Sequence, residues 1–293
     1  MKEAVISLDI GGTNMDGAVV TQDARIVGEV QHMHSVSGQE YEPAMAALLR
    51  FIESIRSQSD VDISACGIGM PGPFDYAQGV SLMEHKFRSL HGKNIKQPLE
   101  ASLGIPVYFL NDAVAFALGA YWKQAQGGVS RLLGVTIGTG LGSGFIEDSR
   151  IIAAENVVPQ GGEIWNLPYG EGILEDYISG RGIENLYEQH TGNRASPKDI
   201  EHRARQGDRE ALAAYQEMGS TLGVGLAVAC NQFIPEQIVV GGKIGRAADL
   251  FLDDATSSFR AETGYQTSFV QAETELLPVY GAAKYTLDMK ERQ

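Results

Sequence analysis

Cysteine is almost absent, with only Cys66 and Cys230 among 293 residues. Both lie in apolar segments that read as a strand and a helix, so two reduced, buried thiols are expected and a disulfide framework is excluded. Long apolar runs are missing too. None approaches the roughly 20 residues that a bilayer span needs, and the start, MKEAVISLDI, lacks the apolar stretch and cleavage site of a secretory signal. A cytoplasmic location with no membrane partner is therefore expected. Positive charge is scarce, since 23 Lys and Arg face 37 Asp and Glu for a formal net charge of -14. Such a field repels phosphate backbones, and no basic patch interrupts it, so nucleic acid is not an expected partner. Two common nucleotide motifs are also lacking. Gly92-Lys93 precedes Asn94 and Gly242-Lys243 precedes Ile244, so no P-loop is present. Ser143 stands where the third glycine of a dinucleotide fingerprint would be.

What is plentiful is glycine, at 35 residues, neither periodic nor gathered into one linker. The glycines punctuate strands. VISLDIGG is a short apolar strand ended by a turn, and DGAVV continues as a second strand. Helical spacing runs from about Pro43 to Arg56, the strand ACGIGM ends at Pro71-Gly72, and PLEASLG reads as a short helix. VYFLN is a strand followed by a helix from about Asp112 to Lys123. RLLGVTIGTGLGSGFIED then repeats the strand, glycine turn, strand logic of the N-terminus, so the two halves look like copies. A long helix is expected over roughly Arg209 to Phe233, and IPEQIVVGGKIG supplies another strand with a glycine-rich end. The alternation predicts an α/β protein.

Two strand-ending clusters, Asp9-Ile10-Gly11-Gly12-Thr13 and Gly138-Thr139-Gly140-Leu141-Gly142, would let backbone amides approach a phosphate. Each alone reads more readily as a plain hairpin turn; the pair, with the hydroxyls of Thr13 and Thr139, favours an anion. Asp9 beside the first cluster is placed either to cap the turn or to orient, through water, a nucleotide's Mg2+. Asn111-Asp112 lies between an apolar strand and an apolar helix, where an aspartate either caps the helix or takes a proton from an attacking hydroxyl. The segment GGEIWNLPYGEGILEDYISG places Glu163, Asn166, Glu171, Glu175 and Asp176 around glycines, as sugar-binding carboxylates and amides or as a solvated surface. Trp165 reads as a sugar-stacking face or, more ordinarily, as a buried indole. His32 and His34 share one face of a strand but lack a third metal ligand.

The strings LDIGGTN, GIGMPGPFD, LNDAVAFALGAY, GVTIGTGLGSG, GGEI and GVGLAVACNQFIPEQIVVGG, in that order and over nearly the whole chain, resemble the ROK family of bacterial sugar kinases and repressors. The resemblance implies an actin-like ATPase fold of two ribonuclease-H-like lobes with sugar and ATP bound in the cleft between them. An N-terminal lobe of residues 1–112, completed by a helix at about 281–293, and a larger lobe of 113–280 are expected. It further implies that Gly11, Gly12 and Thr13 face the phosphates, that Gly138, Thr139 and Gly140 do so from the other lobe, and that Gly241 and Gly242 lie near the nucleoside. Asp112 falls on the family's catalytic aspartate, with Asn111 beside it on the sugar. Gly72 and Glu163 match sugar-contact positions, and Glu175, in GILE, resembles the glutamate of a GCLE element. Asn166 replaces a residue that touches the sugar in many members, and Trp165 replaces a glycine. Those members also carry a histidine and a cysteine cluster for structural zinc; no cysteine follows Gly162-Glu163-Ile164 before Cys230, so no zinc site is expected.

The expected activity is ATP- and Mg2+-dependent phosphorylation of a glucose-like hexose, at the 6-hydroxyl, with Asp112 as base. An amino-sugar or N-acylated-sugar kinase of the same fold is the alternative, because Trp165 and Asn166 alter the presumed pocket wall. A sugar-responsive transcriptional regulator is the reading from a different class. LDIGG begins at Leu8, so no DNA-binding domain is expected before it, and the acidic charge opposes that reading as well. A homodimer is the expected assembly.

Overall fold

The protein is described by a computed structural model over residues 3–125, 128–154 and 156–292. The chain divides into two compact units, one of Met1–Lys123 with Leu276–Gln293 and one of Gln124–Glu275.

In the first unit β1 (Ala4–Ile10), β2 (Asn14–Thr21) and β3 (Ile26–His34) form an antiparallel meander. Helix α1 (Tyr41–Arg56) leads to β4 (Ile63–Met70), a small hairpin of β5 (Phe74–Asp75) and β6 (Val80–Ser81), then α2 (Lys96–Leu103), β7 (Val107–Asn111) and α3 (Asp112–Lys123). β4 runs parallel to β1 and β7 parallel to β4, giving the order β3-β2-β1-β4-β7. β1 is buried on both faces. Ile6, Leu8 and Ile10 join the cluster that holds Leu48, Ile52 and Ile55 of α1, while Val5 belongs to the cluster on the opposite face. Strand alternation therefore sends Asp9 to the face of Val5 and Ser7, as the one titratable side chain of an otherwise apolar strand end.

In the second unit β8 (Arg131–Ile137), β9 (Leu141–Glu147) and β10 (Arg150–Ile152) form another antiparallel meander. A hairpin of β11 (Pro168–Tyr169) and β12 (Gly172–Ile173) precedes helices α4 (Leu174–Tyr177), α5 (Gly180–Thr191), α6 (Pro197–Arg205) and α7 (Arg209–Ala229). The unit closes with β13 (Gln237–Gly241), α8 (Gly242–Gly245), α9 (Leu252–Thr263) and β14 (Ser268–Gln271). Its sheet order is β10-β9-β8-β13-β14, with β13 parallel to β8 and β14 parallel to β13. The order and strand directions repeat those of the first sheet, so the copied halves expected from the sequence are two copies of one topology. The helix expected over 209–233 stops at Ala229. Beyond it Phe233 turns into the core and meets Phe145 edge-on, ring centroids 5.2 Å apart.

Helix α10 (Leu277–Glu291) returns the chain to the first unit. It starts four residues before the expected 281, and the division expected after Asp112 falls after Lys123. Direct backbone packing of α3 on α10 is the reason. A Cβ on Gly119 would sit 1.8 Å from the Leu277 carbonyl oxygen, and one on Gly281 would sit 1.7 Å from that of Ala115. Only glycine permits so close an approach, which ties the whole of α3 to α10. Among the described residues no helix is long and apolar enough to cross a membrane.

Candidate active site

The first glycine turn closes when the Gly11 N–H donates to the Asn14 carbonyl at 3.0 Å. Ser37 Oγ donates to the Gly12 carbonyl at 2.7 Å and the Ser35 N–H to the Thr13 carbonyl at 2.9 Å. Both crest carbonyls are thus held, while the N–H groups of Gly12 and Thr13 have no partner among the described residues. Amides left open at an exposed crest form an anion-binding concavity.

Asp112 opens α3 at the end of β7. The capping role that competes with catalysis falls mainly to its neighbour, because Asn111 Oδ1 accepts from the N–H groups of Ala113 (3.0 Å) and Val114 (3.1 Å). Asp112 Oδ1 accepts the Ala113 N–H, at 2.9 Å, but not that of Val114. Burial lifts the Asp112 carboxyl above the usual carboxylate range, opposed by the Ala113 N–H and by the charge of Lys86. The Asn111 amide donates to Tyr76 Oη at 3.2 Å, and Tyr76 Oη donates to the Met70 carbonyl at 3.2 Å. Gly72 borders the same group, since a Cβ there would lie 3.4 Å from Tyr76 Oη and 3.9 Å from Asn111 Nδ2.

Asp9, half-buried, pairs across β1 and β2 with Asp16. Its carboxyl is pushed up to about 8, first by burial, then by the charges of Asp112 and Asp16. A cation arriving at this carboxyl would displace its proton to water, and hard carboxylate oxygens suit magnesium, so the residue fits the role of holding a hydrated Mg2+. Asp16 in turn lies 2.6 Å from His32 Nδ1, so that histidine has a carboxylate partner, and no three metal-ligand side chains cluster among the described residues.

The second unit's glycine turn is built the same way. The Gly138 N–H donates to the Gly140 carbonyl (2.9 Å) and the Gly180 N–H to the Gly138 carbonyl (2.7 Å), while the N–H groups of Thr139 and Gly140 have no partner among the described residues. Glu175 braces this turn, with Oε2 accepting the Leu141 N–H at 2.9 Å. A Cβ on Gly140 would lie 2.5 Å from that oxygen, so a side chain there would push the carboxylate off the turn. At the end of β13, Gly242 has φ +87, and a Cβ there would meet the Ile137 carbonyl oxygen at 2.5 Å. The Gly241-Gly242 step thus lies against the strand that enters the glycine turn.

Glu163 and Asn166 are exposed on the loop after a short turn at Gln160–Gly162. Ser143 anchors this loop: its Oγ donates to the Gly162 carbonyl (2.6 Å) and accepts the Ile164 N–H (3.2 Å). Trp165 is 38% exposed, contrary to the ordinary expectation of a buried indole. Its neighbour Ile164 takes the core position, and the indole N–H donates to Glu163 Oε2 at 2.9 Å, which keeps the ring at the surface. Asp176 is likewise committed to structure, accepting from the Ile173 N–H (3.1 Å) and Arg181 (2.5 Å). Both cysteines are free and buried, Cys66 in the first unit and Cys230 in the second, and burial pushes both thiols up.

A family model described as ROK family matches residues 5–274. The chain belongs to the ROK family. This ROK protein is 28% identical over 273 residues to a glucokinase of Thermotoga maritima, covering 85% of the chain and 84% of the relative. It is 26% identical over 255 residues to an N-acetyl-D-glucosamine kinase of Vibrio cholerae, covering 80% and 82%. Among solved structures, a ROK family glucokinase from Streptomyces griseus in complex with glucose and AMPPNP superposes with a TM-score of 0.77 at 25% identity, covering 97% of this chain and 99% of that one. The actin-like ATPase fold follows from these likenesses and from the repeated sheets.

Asp9, Gly11, Gly12, Thr13, Gly72, Asn111 and Asp112 belong to the first unit, and Gly138, Thr139, Gly140, Glu163, Asn166, Glu175, Gly241 and Gly242 to the second. Two residues beside the first group carry no motif signal. Tyr76 enters through the hairpin that seats its hydroxyl on Asn111. Lys86 enters from a loop, its Cδ lying 3.8 Å from where a Gly12 Cβ would be.

Proposed function

We propose that this ROK protein is an ATP-dependent sugar kinase that phosphorylates a glucose-like hexose at its 6-hydroxyl, with Asp112 as the base. The observation that carries the reading is the division of labour at the β7–α3 junction. Asn111 caps the helix, and Asp112 keeps a carboxylate whose basicity burial has raised. In the reaction Asp112 accepts the hydroxyl proton, the sugar oxygen bonds to the γ-phosphorus, and the bond from that phosphorus to the β–γ bridging oxygen breaks to release ADP. The open amides of Gly12 and Thr13 face phosphate oxygens, with Gly11 shaping their turn; those of Thr139 and Gly140, with Gly138, do the same in the second unit. Gly241 and Gly242 border the nucleoside. Asp9 holds the magnesium through water, and that ion neutralises and orients the phosphates when bound. Gly72 and Asn111 contact the sugar beside Asp112; Glu163, Asn166 and Glu175 are the sugar contacts of the second unit.

A second reading, phosphorylation of an N-acylated hexose, is favoured by the Trp165–Glu163 hydrogen bond. It occupies one oxygen of a sugar-contact carboxylate and sets an indole face beside it, and the likeness to the Vibrio cholerae kinase adds weight. A panel of glucose, mannose, fructose and N-acetyl-D-glucosamine, with the phosphorylated carbon located by NMR, separates the two. Phosphate on a carbon other than C6 would refute the 6-hydroxyl assignment.

Glu175 has a further expected role. Glu175→Ala frees the Leu141 N–H and is expected to raise the KM for ATP about fivefold, whereas the Glu175→Gln amide oxygen still accepts and keeps it within about twofold. An unchanged KM for ATP in Glu175→Ala would show that this brace does not bear on the nucleotide.

A further inference from the structure

Neither glycine turn, Gly11–Thr13 or Gly138–Gly142, contains a lysine or arginine. Phosphoryl transfer spreads negative charge over three equatorial oxygens, and in most phosphate-binding loops a lysine or arginine meets it. Lys86 is the cation that reaches the first turn. Its Cδ lies 3.8 Å from the Gly12 Cβ position, and its charge holds the Asp112 carboxyl down, so one cation acts on both the phosphate turn and the base. Its ammonium makes no hydrogen bond or ion pair to any described residue, in a chain with 37 acidic side chains.

The backbone fixes this placement. Met83, Phe87 and Leu90 are buried in the core of the first unit, and a short 3-10 turn, Arg88–Leu90, follows Lys86-Phe87. Ser89 Oγ donates to the Gln39 carbonyl at 2.5 Å and the Leu82 N–H to the Pro73 carbonyl at 3.1 Å, which tether the loop on both sides. Phe87 adopts φ 49 and ψ 40, the left-handed region that a bulky residue enters only when its surroundings demand it. With the Phe87 ring held inward in that conformation, Lys86 projects outward toward Gly12.

We propose that Lys86 is a catalytic residue of the phosphoryl transfer, its ammonium binding the transferred group's equatorial oxygens beside Gly12 and Asp112. The proposal rests on the kinase reading with Asp112 as base. Lys86 donates hydrogen bonds to the moving phosphoryl group while Asp112 receives the hydroxyl proton, and it keeps its own protons throughout. The same charge favours the ionised base. The other charged groups around Asp112 are Asp9 and, through Asp9, Asp16 with its partner His32.

The test compares wild type, Lys86→Met, Lys86→Arg and Asp112→Asn in the full chain with MgATP and whichever panel sugar wild type phosphorylates. Lys86→Met is expected to lower kcat about a hundredfold, with the sugar KM within about threefold, and Lys86→Arg to recover at least about tenfold of the loss. The acidic limb of the kcat/KM profile should move to higher pH in Lys86→Met, because Asp112 loses a charge that holds its carboxyl down. Lys86 is exposed, so both Lys86 variants should melt with wild type. A kcat for Lys86→Met within about threefold of wild type, a loss confined to the sugar KM, or an unmoved acidic limb overturns the proposal while leaving the kinase reading intact. Absence of turnover in wild type on every sugar overturns both.

Discussion

Asp112→Asn is expected to lower kcat for sugar phosphorylation by about a thousandfold, with the KM for the sugar changed by less than about fivefold. The substitution keeps the shape and the oxygen that accepts the Ala113 N–H, so α3 retains its start and the fold is not weakened. What disappears is the proton acceptor. Asn111 continues to cap the helix through Ala113 and Val114, which separates a catalytic loss from a structural one. Because burial raises the Asp112 carboxyl, wild-type activity should rise with pH through a limb above the ordinary aspartate value near 4. That limb should vanish in the variant. Coincident melting of the two proteins together with an unchanged kcat would remove Asp112 from the chemistry.

Asp9→Asn carries two expected effects of opposite sign. With MgATP present, kcat/KM for the nucleotide should fall by about a hundredfold, since the neutral amide no longer attracts the metal's hydration shell. In the free protein the same change should stabilise. Folded Asp9 holds its proton up to about pH 8, whereas an unfolded chain releases it near 4. The folded state therefore binds the extra proton across that window, and its stability is complete below pH 4 and declines as pH rises to 8. Removing the ionisable group removes the decline, so at pH 8 the variant should exceed wild type by ~2 kcal/mol once the partial exposure of the carboxyl is discounted. Urea titrations at pH 5 and pH 8, without nucleotide, measure the difference. Parallel stability profiles for the two proteins would show that Asp9 is ionised throughout and that burial does not raise its carboxyl.

Much of this was legible in the sequence because the decisive elements have strong local signatures. VYFLN followed by an apolar helix fixes the position of Asp112 to the residue, and the two glycine turns between strands announce the repeated half. What escaped is what depends on long-range packing. β3 (Ile26–His34) has no fully buried residue, so its periodicity gives no apolar face to read. Helices α5 and α6 are mostly polar and are set by Ser179 and Ser196 as N-caps, signals that mean little without the core beneath them. The extent of the first unit depended on the glycine contacts of α3 with α10, residues more than 150 positions apart. At the site, Glu175 was legible as a conspicuous acid but not as the brace of the turn at Leu141, and Trp165 read as a core residue because its bond to Glu163 is made between side chains. Lys86 and Tyr76 have no motif; their importance comes from the loop and hairpin that bring them to Gly12 and Asn111.

The most direct measurement is the rate of ADP formation from MgATP by the wild-type chain, with and without each sugar of the panel. At least one hexose is expected to raise the rate about a hundredfold or more over the sugar-free rate, with one phosphorylated sugar formed per ADP. ADP formation that no sugar accelerates, or that proceeds without a phosphorylated sugar, would contradict the kinase reading.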